Sequence, residues 1–290
     1  MIIKNNILGT FFSITAFSLF VVMDSIAKYL ADYCSVSQIV WARYFFHIIF
    51  MIFFMIFIKE KINLKKDYKT QLLRSLFLVF ATVTTYYAVR YNDLINFYII
   101  FFSTPLFVSL FSFLFLKEKL TKVGLILVFL SFGTIIFALE PNNLNLSTYL
   151  FIPLLTALSF AGYQLFTKVI SKNKEPFVAL FYTGILGSII FSIVAFFNWT
   201  PIQDSHAWFV LFLLGFIGFI SHYMFAYALQ ILDLSYITNF QYSQLIWASL
   251  INVFFFNDPI GINKMVGIIL IIILGIIFVQ TQNKTKTTHS

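Results

Sequence analysis

The stretch YAVR at residues 87–90 is followed 140 residues later by YALQ at residues 227–230. At the same spacing, FLKE at residues 115–118 is followed by FFND at residues 255–258. Beyond these stretches the offset drifts by a few residues, which indicates a short insertion in the second copy. A spacing that persists over most of the chain indicates that half of the protein has been duplicated.

The two predicted halves, residues 1–140 and 141–290, each contain five long apolar segments. An odd number of membrane crossings per copy places the two copies in opposite orientations across a bilayer, which is the inverted-repeat plan of many secondary transporters. The sequence therefore predicts an all-α membrane protein. Its ten transmembrane helices are expected to form two inverted five-helix repeats.

The composition independently indicates a membrane protein. Apolar residues make up 60% of the chain and charged residues only 10%, whereas an ordinary soluble domain has about 25% charged residues. The single cysteine, Cys34, excludes an intrachain disulfide and a cysteine-based metal cluster. We predict neither a cofactor nor a metal site.

A transmembrane helix needs about 20 apolar residues to cross a hydrocarbon layer of about 30 Å. Ten segments are long enough, or nearly so, and they lie near residues 7–30, 36–58, 72–90, 95–116, 122–139, 147–170, 176–197, 208–231, 236–256 and 264–281. The first segment is expected to be a retained span and not a signal peptide, because no small-residue cleavage site follows it.

The basic residues predict the orientation of these spans, because lysine and arginine concentrate on the cytoplasmic side. With a cytoplasmic N-terminus, 15 of the 19 lysines and arginines fall on the cytoplasmic face, Arg74 among them. Both termini are then cytoplasmic. The net charge of +8 is explained by this topology and by contact with anionic membrane lipids, so we predict no nucleic-acid partner.

Two repeated stretches resemble a known family. They are PLFV at 105–108 leading to LFLKEKLT at 114–121, and the weaker copy FFFNDP at 254–259. With DSIAKYL at 24–30 and QIVWARYFFH at 38–47, they resemble a bacterial subgroup of EamA-type members of the drug/metabolite transporter superfamily. The resemblance implies ten helices around a central cavity, alternating access, and a location in the bacterial inner membrane. It also implies substrates that range from amino acids to vitamins and nucleoside-like compounds. The second copy departs from the pattern because Leu245 replaces Pro105.

Charged residues inside predicted spans are costly and are functional candidates. Asp24 and Arg43 lie at similar depths in the first two spans, and Lys28 lies one turn from Asp24. We expect Asp24 and Arg43 to form an ion pair, with either a structural role or a role in gating or substrate binding. The equivalent positions of the second half are the neutral Gln164 and Thr183, so the fold itself does not require the pair.

Polar side chains near the middle of the later spans face either neighbouring helices or a water-filled cavity. Hydrogen bonding between helices is one explanation of these residues. A substrate site near the midplane is the other, because transporters bind their substrates there. The predicted substrate-binding residues are His222, Gln241, Gln244, Tyr86, Tyr163 and Trp247.

We therefore predict a secondary carrier for a small organic metabolite that works by alternating access, with membrane lipids as its surroundings. A channel-like facilitator is the alternative, and an intramembrane enzyme is a third. The sequence contains no zinc-protease, serine-hydrolase or phosphate-binding motif, and the expectation is that the protein is not an enzyme. The sequence leaves a homodimer open.

Overall fold

The computed structural model describes residues 2–58, 67–116, 122–139, 151–171, 176–232 and 234–287, and these residues contain helices and no strand. The helices of the first half are α1 (Ile2–Leu30), α2 (Val36–Ile58), α3 (Tyr68–Tyr91), α4 (Leu94–Phe101), α5 (Thr104–Leu116) and α6 (Lys122–Leu139). Those of the second half are α7 (Ile152–Ser171), α8 (Pro176–Phe197), α9 (Ser205–Ile231), α10 (Leu234–Gln241), α11 (Ser243–Phe254) and α12 (Ile262–Thr287).

The helix boundaries repeat at the spacing of the sequence repeat. Helices α4 and α10 begin at Leu94 and Leu234 and end at Phe101 and Gln241, so both ends are 140 residues apart. The other helices of the first half also have counterparts in the second, α6 with α12 at the larger offset. The predicted boundary between residues 140 and 141 lies outside the described residues, as do Lys117 and Glu118 of the FLKE stretch.

The predicted fourth and ninth spans are each broken into two helices. The hydroxyl of Ser103 donates to the carbonyl of Ile100 at 2.8 Å, and that of Ser243 donates to the carbonyl of Phe240 at 2.6 Å. A serine hydroxyl that bonds a nearby carbonyl competes with the helical backbone and favours a break. Because Ser103 and Ser243 occupy equivalent positions, both halves use the same device.

The proline of the first copy is not needed for this break. Pro105 has no backbone N–H to continue a helix, but its counterpart Leu245 donates its N–H to the carbonyl of Tyr242 at 3.2 Å. That bond spans three residues and not the four of an α-helix. The local geometry is therefore preserved where the second copy departs from the sequence pattern.

The helices pack in a two-fold pattern. Helix α1 packs against α9, and its counterpart α7 packs against α3; α2 also contacts α9, as α8 contacts α3. Two further contacts join a helix to its own counterpart, α2 to α8 and α6 to α12. Both halves thus contribute to one bundle.

Six segments of the described residues are long and apolar enough to cross a membrane: Ile7–Leu30, Val36–Phe57, Tyr68–Tyr91, Leu94–Phe115, Pro176–Phe197 and Ser205–Ile231. Ile126–Leu139 and Ile262–Phe278 are shorter apolar helices. Large apolar side chains are exposed along many of these helices, as expected for surfaces that face lipid. The chain is a multi-pass membrane protein, and the count of ten spans remains a prediction.

Helix α2 approaches its neighbours closely where they carry glycine. Gly187 of α8 lies against the ring of Tyr44, and Gly215 of α9 lies against Phe46. Residues without a Cβ allow two helix backbones to approach, which is how membrane helices commonly pack. The position of α2, which carries Arg43, therefore depends on these two small residues.

Candidate functional site

A small polar cavity lies between the two halves. Its volume is about 40 Å³, and its walls come from α1, α2, α3, α4, α7, α9 and α11. The polar residues that line it are Asp24, Arg43, Thr82, Thr85, Tyr86, His222 and Gln244. The aromatic residues that line it are Phe20, Phe97, Phe101 and Phe160.

Asp24 and Arg43 both line this cavity, but they do not form the ion pair that the sequence suggested. Within the described part of the chain, the Asp24 carboxylate accepts a hydrogen bond at 2.7 Å from the hydroxyl of Tyr98 on α4. The Arg43 guanidinium instead contacts His222 on α9. The prediction of a direct pair was wrong because each charge has a polar partner on another helix.

A hydrogen-bonded chain leads away from Arg43. Its Nη2 lies 2.6 Å from Nε2 of His222, and Nδ1 of His222 lies 3.0 Å from the hydroxyl of Tyr163. A guanidinium only donates, so Nε2 must accept and the neutral imidazole carries its proton on Nδ1. Nδ1 then donates to Tyr163. The chain connects α2 of the first half with α9 and α7 of the second.

Several buried polar atoms at the cavity have no hydrogen-bond partner among the described residues. They are Nε and Nη1 of Arg43, the hydroxyl of Tyr86 and Oε1 of Gln244. The Tyr86 hydroxyl lies beside the Arg43 guanidinium without the geometry of a hydrogen bond. Buried polar groups are normally paired, so unpaired donors and acceptors around one cavity indicate a site built for a ligand.

The structure brings four of the six predicted binding residues together. His222, Gln244 and Tyr86 line the cavity, and Tyr163 is bonded to His222. Gln241 is fully buried but does not line the cavity; its Oε1 accepts from Nε2 of Gln164 at 3.1 Å, which joins α10 to α7.

Trp247 is a correction to the predicted site. It is 42% exposed and does not line the cavity. The buried face of α11 is formed by Gln244, Leu245, Ala248 and Asn252, and Trp247 projects to the opposite side. An indole has a large apolar body that is compatible with a lipid-facing surface, so its position in the sequence did not distinguish the two faces.

Lys28 is also placed differently from the prediction. Its Nζ donates to the carbonyl of Asn92 at 2.8 Å and to that of Val89 at 3.2 Å. A lysine beside the last carbonyls of a helix is favourable for the helix dipole, and here it binds the end of α3. Its counterpart Lys168 donates to the carbonyl of Leu232, at the end of α9, at 3.2 Å. Because both halves contain this contact, Lys28 has a structural role that accounts for its position.

Arg74 is a buried residue that the sequence analysis assigned to the cytoplasmic surface. It is 0% exposed, and its donors bind Thr167 Oγ1, the carbonyl of Ala179 and Thr183 Oγ1, each at 2.9 Å. Its Nη2 lies 3.4 Å from the hydroxyl of Tyr163. Among the described residues no carboxylate pairs with it. We call Arg74 with these four partners the Arg74 cluster.

The Arg74 cluster joins α3 of the first half to α7 and α8 of the second. Through Tyr163 it meets the chain that begins at Arg43. A signal for it exists in the sequence, because Gln71, Arg74, Ser75 and Thr82 recur at helical spacing and mark one polar face of α3. All four side chains are buried. The face was overlooked because Arg74 lies close enough to a basic loop to be counted with it.

At one end of the bundle, the link between α11 and α12 meets the start of α4. Lys264 forms an ion pair with Asp93 at 3.7 Å between partly exposed side chains. Burial raises the pKa of the Asp258 carboxyl above its ordinary value, and the nearby Asp93 raises it further. Exposed pairs of this kind contribute little to stability, so the cluster has a minor structural role.

A multi-pass helical bundle with a polar cavity between two related halves defines a class of protein, the small-molecule transporters. The chain belongs to the EamA-like transporter family, whose family model matches residues 7–139 and 146–281. The family resemblance is therefore confirmed, with one match in each half. The protein is a transporter and not an enzyme.

Named relatives agree with this assignment. The chain is 23% identical to an S-adenosylmethionine uptake transporter of Rickettsia bellii over 91% of this chain and 90% of that protein. It is 26% identical to a riboflavin transporter of Brucella anthropi over 64% and 67% of the two chains. A solved crystal structure shares the fold, with a TM-score of 0.70, 11% identity and coverage of 97% and 98%. The protein is thus similar to transporters of small metabolites.

Proposed function

We propose that the protein is a secondary carrier that moves a small organic metabolite by alternating access, through ten spans arranged as two inverted halves. The observation that carries this proposal is the cavity between the halves, where unpaired polar atoms of Arg43, Tyr86 and Gln244 meet. Transporters of this architecture bind their substrates at the interface between repeats, near the middle of the membrane.

The size of the cavity supports a carrier over a channel. A volume of about 40 Å³ holds about two or three water molecules, which is much less than a metabolite occupies. Substrate can enter only if the helices around the cavity separate. A protein whose site must open and close for each substrate molecule is a carrier, whereas a channel keeps a continuous path.

The names of the relatives supply the first substrates to test, S-adenosylmethionine and riboflavin. Purified protein in liposomes should take up radiolabelled substrate with saturation, and unlabelled substrate inside the vesicles should accelerate uptake. Such trans-stimulation is expected of a carrier, because a loaded site reorients in both directions. Uptake that rises linearly with concentration and is unaffected by internal substrate would contradict the proposal.

His222→Ala and Gln244→Ala are expected to weaken this transport several-fold, because a lost hydrogen bond costs about 0.5 to 1.5 kcal/mol, and more when the bonded group is charged. Trp247→Phe, on the same helix as Gln244 but outside the cavity, is the matched control and should transport normally. Expression and unfolding midpoint are measured for each variant. A parallel loss of folding and transport would favour a role in holding the helices together.

The proposed topology has both termini in the cytoplasm of a bacterial cell. Single cysteines at positions 65, 172 and 284 should be shielded from a membrane-impermeant thiol reagent in intact cells, and those at positions 143 and 204 should react. Positions 65, 143 and 172 lie outside the described residues. The native Cys34 is replaced by serine in every variant. Finding positions 143 and 172 on the same face would refute the ten-span arrangement.

A further inference from the structure

We infer that the cavity recognises a zwitterionic α-amino-acid group, with the substrate carboxylate on Arg43 and its cationic group on Asp24. This inference rests on the proposed carrier function and names its substrate class. The two charged side chains line one cavity, yet they do not pair with each other. Their separate environments assign a role to each.

Arg43 provides the anion-binding part of the site. It is 0% exposed, and its Nε and Nη1 have no partner in the described part of the chain. Arg74, equally buried, differs because its Nε, Nη1 and Nη2 all have hydrogen-bond partners. One arginine is therefore satisfied by the protein and the other retains free donors at the cavity. A carboxylate is the group that a guanidinium binds most strongly among the common metabolite groups without phosphate.

Asp24 and Gln244 provide the cation-binding part. Tyr98 donates to Oδ2 of Asp24, which leaves the other carboxylate oxygen for a ligand. Oε1 of Gln244 is a second buried acceptor without a partner among the described residues. An ammonium group has only donors, so it complements two acceptors.

A zwitterion is the ligand type that satisfies both parts at once. An uncharged ligand would leave two buried charges without counter-charges, an anion would leave Asp24, and a cation would leave Arg43. Buried charges without a partner are costly. The site therefore discriminates against all three types through the charge each leaves unpaired.

The remaining wall of the cavity is aromatic. Phe20, Phe97, Phe101 and Phe160 line it, and aromatic side chains favour stacking with a planar ring. We therefore infer an amino acid that carries a flat ring system. S-adenosylmethionine has this combination of groups, whereas riboflavin has the ring without the amino-acid group.

The test uses analogues that differ by one group. Decarboxylated S-adenosylmethionine lacks only the carboxylate, and 5′-methylthioadenosine retains the ring system without the amino-acid group. Binding of each probe to the wild-type protein is measured by thermal shift and by competition with labelled S-adenosylmethionine. We expect the decarboxylated analogue to bind at least tenfold more weakly than S-adenosylmethionine, and methylthioadenosine and riboflavin to bind more weakly still.

Two variants assign the groups. Arg43→Gln should weaken S-adenosylmethionine at least tenfold and leave the decarboxylated analogue nearly unchanged, so that the preference disappears. Asp24→Asn should weaken both of these ligands and leave methylthioadenosine unchanged. Retained discrimination in a folded Arg43→Gln protein would overturn the assignment.

The wild-type comparison decides the inference even if a variant does not fold. Equal binding of S-adenosylmethionine and its decarboxylated analogue would overturn it, as would binding of riboflavin alone or of none of the probes. Riboflavin uptake with saturation and trans-stimulation would leave the carrier function standing without the inference. Zwitterion-selective binding with no saturable uptake of any probe would instead support the inference and refute the carrier.

Discussion

Replacing Arg74 by methionine is expected to raise the unfolding midpoint and to slow transport at least tenfold. Arg74 is fully buried between the two halves, and no carboxylate pairs with it among the described residues. Exchanging buried ionic groups for apolar ones of similar volume is often neutral or stabilising by about 1 to 4 kcal/mol. Since the proposed transport cycle must separate these helices, a closed state stabilised to that extent opens about five- to several-hundred-fold more slowly.

The partners of Arg74 should tolerate its removal. Thr167 also donates to the carbonyl of Tyr163, and Thr183 donates to that of Ala179, so neither hydroxyl is left without a partner. Arg74→Lys is the matched control, because it retains the charge and should retain measurable transport. The measurements are unfolding in detergent and uptake in liposomes. A lower midpoint together with slower uptake in Arg74→Met would show that the arginine stabilises the closed state.

Gly215→Ala is expected to destabilise the protein by about 1 to 3 kcal/mol, the usual cost of overpacking. A Cβ at this position would overlap the Cβ of Phe46 and lie 3.2 Å from the backbone nitrogen of His47. Neither atom belongs to a movable end of a side chain, so α2 and α9 would have to separate. That separation would lengthen the contact between Arg43 and His222 and weaken transport as well.

Gly133→Ala is the control for that substitution. Position 133 lies within α6, and no heavy atom lies within 4 Å of the Cβ that an alanine would add there. Alanine is favoured over glycine in a helix by about 1 kcal/mol, so this variant should be as stable as the wild type or slightly more stable. Equal unfolding midpoints for the two variants would contradict the packing argument.

The duplication could be read from the sequence because it leaves residues of the same type at a constant spacing. Helices α4 and α10 begin and end 140 residues apart, as the repeat predicted. The breaks in these spans could not be predicted with the same certainty. Pro105 suggests one of them, but Ser103 and Ser243, which act in both, are ordinary serines whose hydroxyls find a partner only once the helix forms.

The candidate site was predicted in part, for a related reason. Hydrophobic spacing identifies polar residues inside a span, and it found His222, Gln244 and Asp24. It does not give the rotation of one helix relative to its neighbours, so it could not show that Asp24 meets Tyr98 before it meets Arg43. Partner choice among buried polar groups is decided by tertiary packing, which a single sequence does not encode locally.

The lysine contacts determine which parts of the protein can move. Lys28 ties α1 to the end of α3, and Lys168 ties α7 to the end of α9, so each tie lies within one half. The contact of Arg43 with His222 and the Arg74 cluster, in contrast, cross from one half to the other. If the halves rock as rigid bodies, the lysine ties persist throughout the cycle while the arginine contacts break and re-form. Hydrogen exchange should then be slow and substrate-independent at the carboxyl ends of α3 and α9, and should respond to substrate beside the arginines.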